Sequence, residues 1–335
     1  MKKVKSKIFL RTKSGDKGMR LDQFLVYHGK TFSRSMVQQT IKMGNVTVDG
    51  KITRKAGTRL KPFQEISMVE MIKERGVETV IPQKMDIHVI YKDKDVVVVN
   101  KQSGVVVHPG TGNKKNTLLN GLVYRYRKLQ KIGKNVRLGL VHRIDKETSG
   151  IILVALSDYA HWYLSRQFEN REVDKKYLAV VGGDIRKRFG QKKKVMITDY
   201  IGRDPKDRLR QAIVRKEKGK HATSIFHAIS TIKHHSLGTI TLLLVTLKTG
   251  RTHQIRTQLS SLGYPVVGDR LYGGIPYKRM LLHAYILGVT MLDGTKRSFK
   301  ASIPTSFVEL FDKNEICHTI KKTLRKYYDK DTIYT

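Results

Sequence analysis

The chain has 335 residues, 66 Lys and Arg against 28 Asp and Glu, a formal net charge of +38, and 39% hydrophobic content. Its length and apolar share support a large core and more than one domain, and its basic excess favours a polyanionic partner, because each neutralised phosphate releases counterions. A single cysteine, Cys317, excludes an internal disulfide or a cysteine-cluster metal site. The longest apolar runs, 151–156 and 242–247, fall far short of the roughly 20 residues that a membrane helix requires. A solvated lysine-rich surface is the plain alternative to a polyanion, and an anionic membrane surface is the competing target.

Residues 1–17 are polar and basic around Ile8-Phe9-Leu10, a tail or first edge strand. The charge of Met1–Lys7 has no apolar run after it, so no signal peptide is expected. Helical spacing predicts a helix from Arg20 to Tyr27, stopped by Gly29. Ser33-Arg34-Ser35 offers the N-cap of a second helix, carrying Met36, Val37, Thr40, Ile41 and Met43 and ended by Gly44. Asn45-Val46-Thr47-Val48 then alternates as a strand, closed by an Asp49-Gly50 turn.

Two short helices feeding a hairpin resemble the small RNA-binding module named after ribosomal protein S4, over residues 18–72. Arg20-Leu21-Asp22, Ser33-Arg34-Ser35 and Gly44-Asn45-Val46-x-Val48-x-Gly50-Lys51 carry that resemblance. It implies that Arg34, Lys42, Lys51, Arg54 and Lys55 face phosphates, contacts that position an RNA without reading its sequence. For any one of them, plain surface charge is an equal alternative.

Residues 73–84 lose periodicity and read as a linker. A β-hairpin follows, formed by 87–91, the turn 92–95 and Val96-Val97-Val98-Val99. The run 110–117 is rich in glycine and lysine but lacks the Gly-Lys-Ser/Thr ending of a phosphate-binding P-loop. A helix is expected over 117–129, with Leu118, Leu119, Leu122, Val123 and Tyr126 on one face. Another, capped by Ser157-Asp158, runs to about Glu172 with Trp162, Leu164 and Phe168 as core. Strands are expected at 176–181, 222–229 and 239–248, with 184–220 as basic, irregular loops between short strands. A helix ends near Gly263, and residues 314–335 read as a basic C-terminal tail, helical or disordered. Many strands with single helices between them, and no βαβ alternation or repeat, argue for an α+β fold with a mixed, mainly antiparallel sheet flanked by helices and loops.

The stretch Leu140-Val141-His142-Arg143-Ile144-Asp145-Lys146-Glu147-Thr148-Ser149-Gly150 puts a carboxylate at the mouth of a buried strand. Such a group is costly unless something pairs with it or uses it. The stretch resembles the His-Arg-Leu-Asp-x-x-Thr-Ser-Gly signature of the RluA/RluD-type RNA pseudouridine synthases, with Ile144 in place of leucine. Gly104, His108-Pro109-Gly110, Gly268-Asp269-x-x-Tyr272-Gly273 and Leu282-His283-Ala284 extend the likeness, and 85–313 would be the catalytic domain.

The resemblance implies that Asp145 is the catalytic carboxylate, that Arg256 in His253-Gln254-Ile255-Arg256 is its counter-ion, and that Tyr177 stacks on the target base. Arg143 would fill the gap left by a flipped nucleotide. His142 stands beside it among the RNA-contacting candidates, although isomerisation does not require a histidine, and a structural role is the reading preferred for both His142 and His253. Two departures are visible: Gln102 replaces a usual proline, and Thr257-Gln258 stands where Val-His is usual.

Turning uridine into its C-glycoside involves no redox step and no net hydrolysis, so neither cofactor nor metal is expected. The resemblance points to large-subunit ribosomal RNA as partner, in the cytoplasm, with the protein a monomer. A synthase acting on tRNA and a non-catalytic RNA-binding or ribosome-assembly protein are the alternatives. A hydrolase or phosphatase would need a second acid or a metal-binding carboxylate pair, which the sequence does not display.

Overall fold

Every second residue of a strand faces the same way, and that rule decides which side chains meet in both parts of this chain. The computed structural model describes residues 7–28, 34–69, 80–110, 112–132, 138–191, 194–324 and 333–334. Gly29, Ser33, most of the 73–84 linker, Lys192 and Lys193 lie outside them. Two units are distinguished, Met1–Glu78 and Thr79–Thr335.

The N-terminal unit contains β1 (Lys7–Arg11), α1 (Leu21–His28), α2 (Arg34–Lys42), β2 (Val46–Val48), β3 (Lys51–Ile52) and β4 (Glu65–Val69). The strands form an antiparallel sheet in the order β1-β4-β2-β3. Leu21, Phe24 and Leu25 of α1 and Val37 and Ile41 of α2 pack on Val46, Ile66 and Met68 of the sheet. Asp49 and Gly50, with φ of 50° and 76°, make the two-residue turn whose twist suits a hairpin. Buried Asp22 accepts from Arg20 Nε at 2.9 Å and from Gln38 Nε2 at 2.8 Å, which ties the two helices together. Lys42, Lys51, Arg54 and Lys55 are exposed. Arg34 opens α2, and its side chain lies outside the described residues.

The second unit contains β5 (His88–Lys92), β6 (Val96–Lys101), α3 (Leu118–Arg125), β7 (Ser149–Ala155), α4 (Asp158–Asn170), β8 (Asp174–Gly182), β9 (Lys194–Arg203), β10 (Gln211–Ile213), β11 (Lys220–His234), β12 (Gly238–Leu247), α5 (Gln254–Ser261), β13 (Leu282–Thr290), β14 (Lys296–Lys300), α6 (Thr305–Val308), α7 (Lys313–Leu324) and β15 (Ile333–Tyr334). The main path of the sheet runs β10-β9-β11-β12-β8-β13-β7-β6-β5, with β14 on β13 and β15 on β14. β13 runs parallel to β7 and β15 parallel to β14; the other ladders are antiparallel. This is the mixed, mainly antiparallel α+β fold expected from the sequence.

The valine run of β6 is buried on both faces. Val97 and Val99 meet Leu119, Leu122 and Val123 of α3, while Val96 and Val98 share a core with Ala160 and Leu164 of α4. On β8, Leu178 and Val180 join a core containing Phe307 of α6 and Ile316 and Ile320 of α7. Ala179 and Val181 face the opposite way, onto Ile255 and Leu259 of α5. Tyr177 has their parity, so the strand aims it at the α5 side.

Two expectations are sharpened and one, for Trp162, is corrected. Residues 184–220 are not irregular throughout, since β9 pairs with β11 from Lys194↔His227 to Ile201↔Lys220. Val195 and Ile197 carry its inward alternation between exposed Lys194 and Met196. The segment after 314 begins as a packed helix, because Ile316 and Ile320, one turn apart, are 2% and 1% exposed. Trp162 is not core: it is 51% exposed on α4, stacked beside Tyr159 and under Arg166. Among the described residues, no helix is long and apolar enough to cross a membrane.

Candidate active site

Asp145 sits on the turn that delivers the chain into β7, and its neighbours hold that turn from several directions. Thr148 N donates back to Asp145 O at 3.2 Å, and Gly104 N donates to Lys146 O at 2.9 Å. Ser103 Oγ donates to Glu147 O at 2.6 Å. Lys101 stands opposite Gly150 in the β6–β7 ladder and is 2% exposed. Its ammonium donates to the carbonyls of Gln102, Val105 and Lys146 at 2.7–2.9 Å, while burial pushes its pKa down to about 7. Gly150 has φ +116°, and a Cβ there would lie 2.2 Å from Ala284 O, so only glycine admits the parallel approach of β13.

The other half of the site comes from α5. Gln254 Oε1 accepts from Thr249 Oγ1 and Arg251 N, and its amide donates to Thr223 O on β11, anchoring the start of the helix. Two residues on, roughly half a helical turn, buried Arg256 is directed at two carboxylates. Its Nε and Nη2 donate to Asp269 at 2.7 and 2.9 Å, and its Nη1 donates to Asp145 Oδ2 at 3.2 Å. Burial pulls the guanidinium pKa down, but the hydrogen bonds and charge of Asp269, with Asp145 behind them, leave it raised. The guanidinium also lies 4.9 Å from the Tyr272 ring centre.

His253 adopts φ +54° at the start of α5. Its Nε2 is 3.9 Å from Asp145 Oδ2, and its Nδ1 is 3.0 Å from the Tyr272 hydroxyl. Burial, against the pull of Asp145, holds its pKa below the ordinary imidazole range. Thr257 and Gln258, the departures from the familiar pattern, are bonded inward. Thr257 Oγ1 donates to the Tyr272 hydroxyl, and Gln258 links α5 to Asp199 of β9 and Ser224 of β11.

Asp145, Tyr177, His253 and Arg256 line one cleft of about 400 Å³, with Lys175 and Arg251 on its wall. Burial first, and the Asp145 charge second, push the Tyr177 hydroxyl well above the ordinary phenol range. Arg143 is exposed and borders both this cleft and an adjoining one of about 680 Å³.

His142 also lines the first cleft, with its ring engaged on the core side. Its Nε2 accepts from Leu153 N at 2.9 Å, and its ring stacks on Phe168 at 4.6 Å. Burial pushes its pKa down to about 3, with Lys175 adding to the effect. The imidazole therefore braces β7 as a neutral acceptor.

Two members of this cluster escaped the sequence reading. Asp269 was visible only within the Gly268-Asp269-x-x-Tyr272-Gly273 likeness, and Lys101 only as the residue before Gln102, the departure from the usual proline. A buried acid and a buried base are each signals that need a partner, and neither partner was in view.

A family model described as RNA pseudouridylate synthase matches residues 95–261, and one described as S4 domain matches residues 19–66. The chain is 38% identical over 300 residues to "Uncharacterized RNA pseudouridine synthase YlyB" of Bacillus subtilis, covering 88% of this chain and 94% of that protein. It is 31% identical over 312 residues to "Ribosomal large subunit pseudouridine synthase D" of Escherichia coli, covering 88% and 90%. Among solved structures, "Human RNA Pseudouridylate Synthase Domain Containing 1" aligns with a TM-score of 0.57 and 27% identity, over 73% of this chain and 97% of that one. With relatives this similar over nearly their whole lengths, the chain belongs to the RNA pseudouridine synthase family, isomerases of RNA uridines, and carries an S4 domain before its synthase region.

Proposed function

We propose that this protein isomerises specific uridines of large-subunit ribosomal RNA to pseudouridine, with Asp145 as the catalytic carboxylate. The observation that carries the reading is the meeting of Asp145, Arg256 and Tyr177 in one cleft, with Arg256 Nη1 3.2 Å from the carboxylate. The reaction breaks the C1′–N1 bond, turns the uracil and joins C1′ to C5; the C5 proton is lost and N1 gains one. Covalent attack by Asp145 and an Asp145-assisted elimination at the ribose both begin from this carboxylate. Arg256 orients it in a partly dry site, where a fixed charge acts more strongly than in water.

A base reaches such a cleft only when extruded from its stack. Tyr177 offers a ring for it to rest on, and Arg143, exposed at the border of the cleft, has the planar guanidinium suited to the vacancy. Arg34, Lys42 and Lys51 of the S4 domain supply phosphate contacts that set register without reading bases. Identity to proteins named ribosomal large subunit pseudouridine synthase D, 33% in Zymomonas mobilis and 31% in Escherichia coli, supports the choice of RNA. The protein acts as a monomer in the cytoplasm.

The test is pseudouridine mapping, by a derivatisation that marks the isomer, in RNA from cells lacking the protein and complemented with wild type or Asp145→Asn. Loss of a large-subunit mark, restored by wild type alone, is expected. If every such mark persists, or the lost mark lies in tRNA, the RNA assignment fails. If Asp145→Asn restores the mark, Asp145 is not the catalyst.

A further inference from the structure

The larger cleft beside Asp145 shares Arg143, His253 and Arg256 with the first but excludes Tyr177, and it adds Lys146, Arg270, Lys278 and Arg279. Its acids are largely engaged elsewhere. Asp269 is taken up by Arg256, and Glu147 lies 3.9 Å from Lys146 on the exposed rim.

Arg279 stands apart from the other cations of this wall. It is half-buried, its Nε donates to Met280 O at 3.1 Å, and its Nη2 donates to Ser149 Oγ at 2.7 Å. Among the described residues, no carboxylate lies within ion-pair distance of it; the charge of Glu147 acts on it from farther off and only partly offsets the effect of burial. A guanidinium held by neutral acceptors in a partly desolvated wall keeps a charge that an incoming anion would offset.

Its position is also rigid. A Cβ on Gly268, φ +80°, would fall 2.0 Å from Arg279 O, so the two backbones are in close contact. The Ser149 hydroxyl that accepts from Arg279 also lies 2.8 Å from Nδ1 of fully buried His283, within hydrogen-bond distance. A chain of hydrogen bonds thus runs from the core, through the first residue of β7, to the cleft. Ser149 is four positions beyond Asp145, so an anion seated on Arg279 is fixed relative to that carboxylate.

We propose that the second cleft is a phosphodiester subsite, in which Arg279 holds a phosphate of the RNA strand adjoining the isomerised nucleotide. This rests on the reading of Asp145 as the reacting carboxylate. With the target uridine in the cleft beside Tyr177, its strand has to leave past Asp145, and the basic cleft opens there. Arg279 is a binding and positioning residue, with no role in bond making.

The test uses the full chain and a transcript carrying the mapped uridine, with binding measured across a salt series and turnover at saturating RNA. For Arg279→Gln, KM and Kd should rise about tenfold, and the slope of log K against log salt should shrink by about 0.7–0.9, the signature of one lost phosphate contact. Arg279→Lys should recover the slope, and kcat should stay within about threefold of wild type. Ser149→Ala, which keeps the Arg279 charge but loosens its anchor, should keep the full slope, raise Kd less than Arg279→Gln does, and leave kcat within about threefold. An unchanged slope and Kd in Arg279→Gln, or a loss confined to kcat, would overturn the subsite. Binding is read whether or not the RNA is isomerised, so an unreactive transcript counts against the function and not against the subsite.

Discussion

Asp269 accepts from both Nε and Nη2 of Arg256, so the arginine reaches Asp145 with Nη1 alone. The geometry of the candidate catalytic pair is therefore set by a second carboxylate, 2% exposed, that holds the other edge of the guanidinium. Breaking one side of a buried ion pair costs about 3–5 kcal/mol. Asp269→Ala should lose about that much in urea unfolding. Asp269→Asn keeps the shape and more of the stability but loosens Arg256, and kcat should fall roughly 10- to 100-fold with KM little changed, the range typical of outer partners that orient a reacting group. Wild-type kcat in the Asn variant would show that Asp269 does not position Arg256.

Tyr177 should remain a phenol throughout the working range. Burial and the neighbouring Asp145 charge both disfavour its anion, so its pKa lies above the usual value of about 10. The kcat profiles of wild type and Tyr177→Phe should then have the same shape between pH 7 and about 10, with the variant lower throughout. An alkaline limb in wild type that vanishes in the Phe variant would contradict this.

Acid should weaken the fold through two histidines. His142 and His283 are both pushed by burial to about 3, whereas an unfolded chain protonates its imidazoles near 6.5. Between those values the unfolded state binds more protons, so stability is complete above about 6.5 and is lost as pH falls toward 3. The urea midpoint should drop between pH 7 and pH 5. His142→Gln retains an acceptor for Leu153 N without titrating, and its pH slope should be shallower. Identical slopes would remove His142 from the account.

Gly150→Ala should be among the most damaging small substitutions in the chain. Its φ of +116° and the 2.2 Å approach of a Cβ to Ala284 O oppose any side chain. Strain and clash together should cost more than about 3 kcal/mol. Gly15→Ala, with nothing within 4 Å and no unusual φ, is the control. Comparable thermal stability of the two variants would mean that β7 and β13 separate readily.

Much of this arrangement was legible because a local pattern matched a local need. The valine run of β6 announced a strand covered on both faces, and the Asp49-Gly50 pair announced its turn. The joining of Asp145 to Arg256 came through a familiar motif. What stayed hidden depended on segments meeting from afar. The Asp269 fork closes only when a loop folds back on α5, and nothing in its spacing names the arginine. On α4 the buried positions Ala160, Leu164 and Gln167 mark the inner face, and Trp162 falls outside that stripe, so hydrophobicity outweighed phase. In β9 the lysines before Val195 concealed how long the strand is, and in α7 the spacing of Ile316 and Ile320 left a helix open without naming what it packs on.

Asp145 and Arg256 are separated by 111 positions, and the parallel neighbour of β7 begins only at Leu282. During synthesis at roughly 5–20 residues per second, the Asp145 turn therefore leaves the ribosome on the order of ten seconds before the strand that seats it. Long-range pairings of this kind form late because loop closure is unrewarded until both partners exist. The nascent chain consequently displays its S4 domain and its basic surface while Asp145 has no counter-ion. An enzyme born beside its own class of substrate can grip RNA before it can alter it.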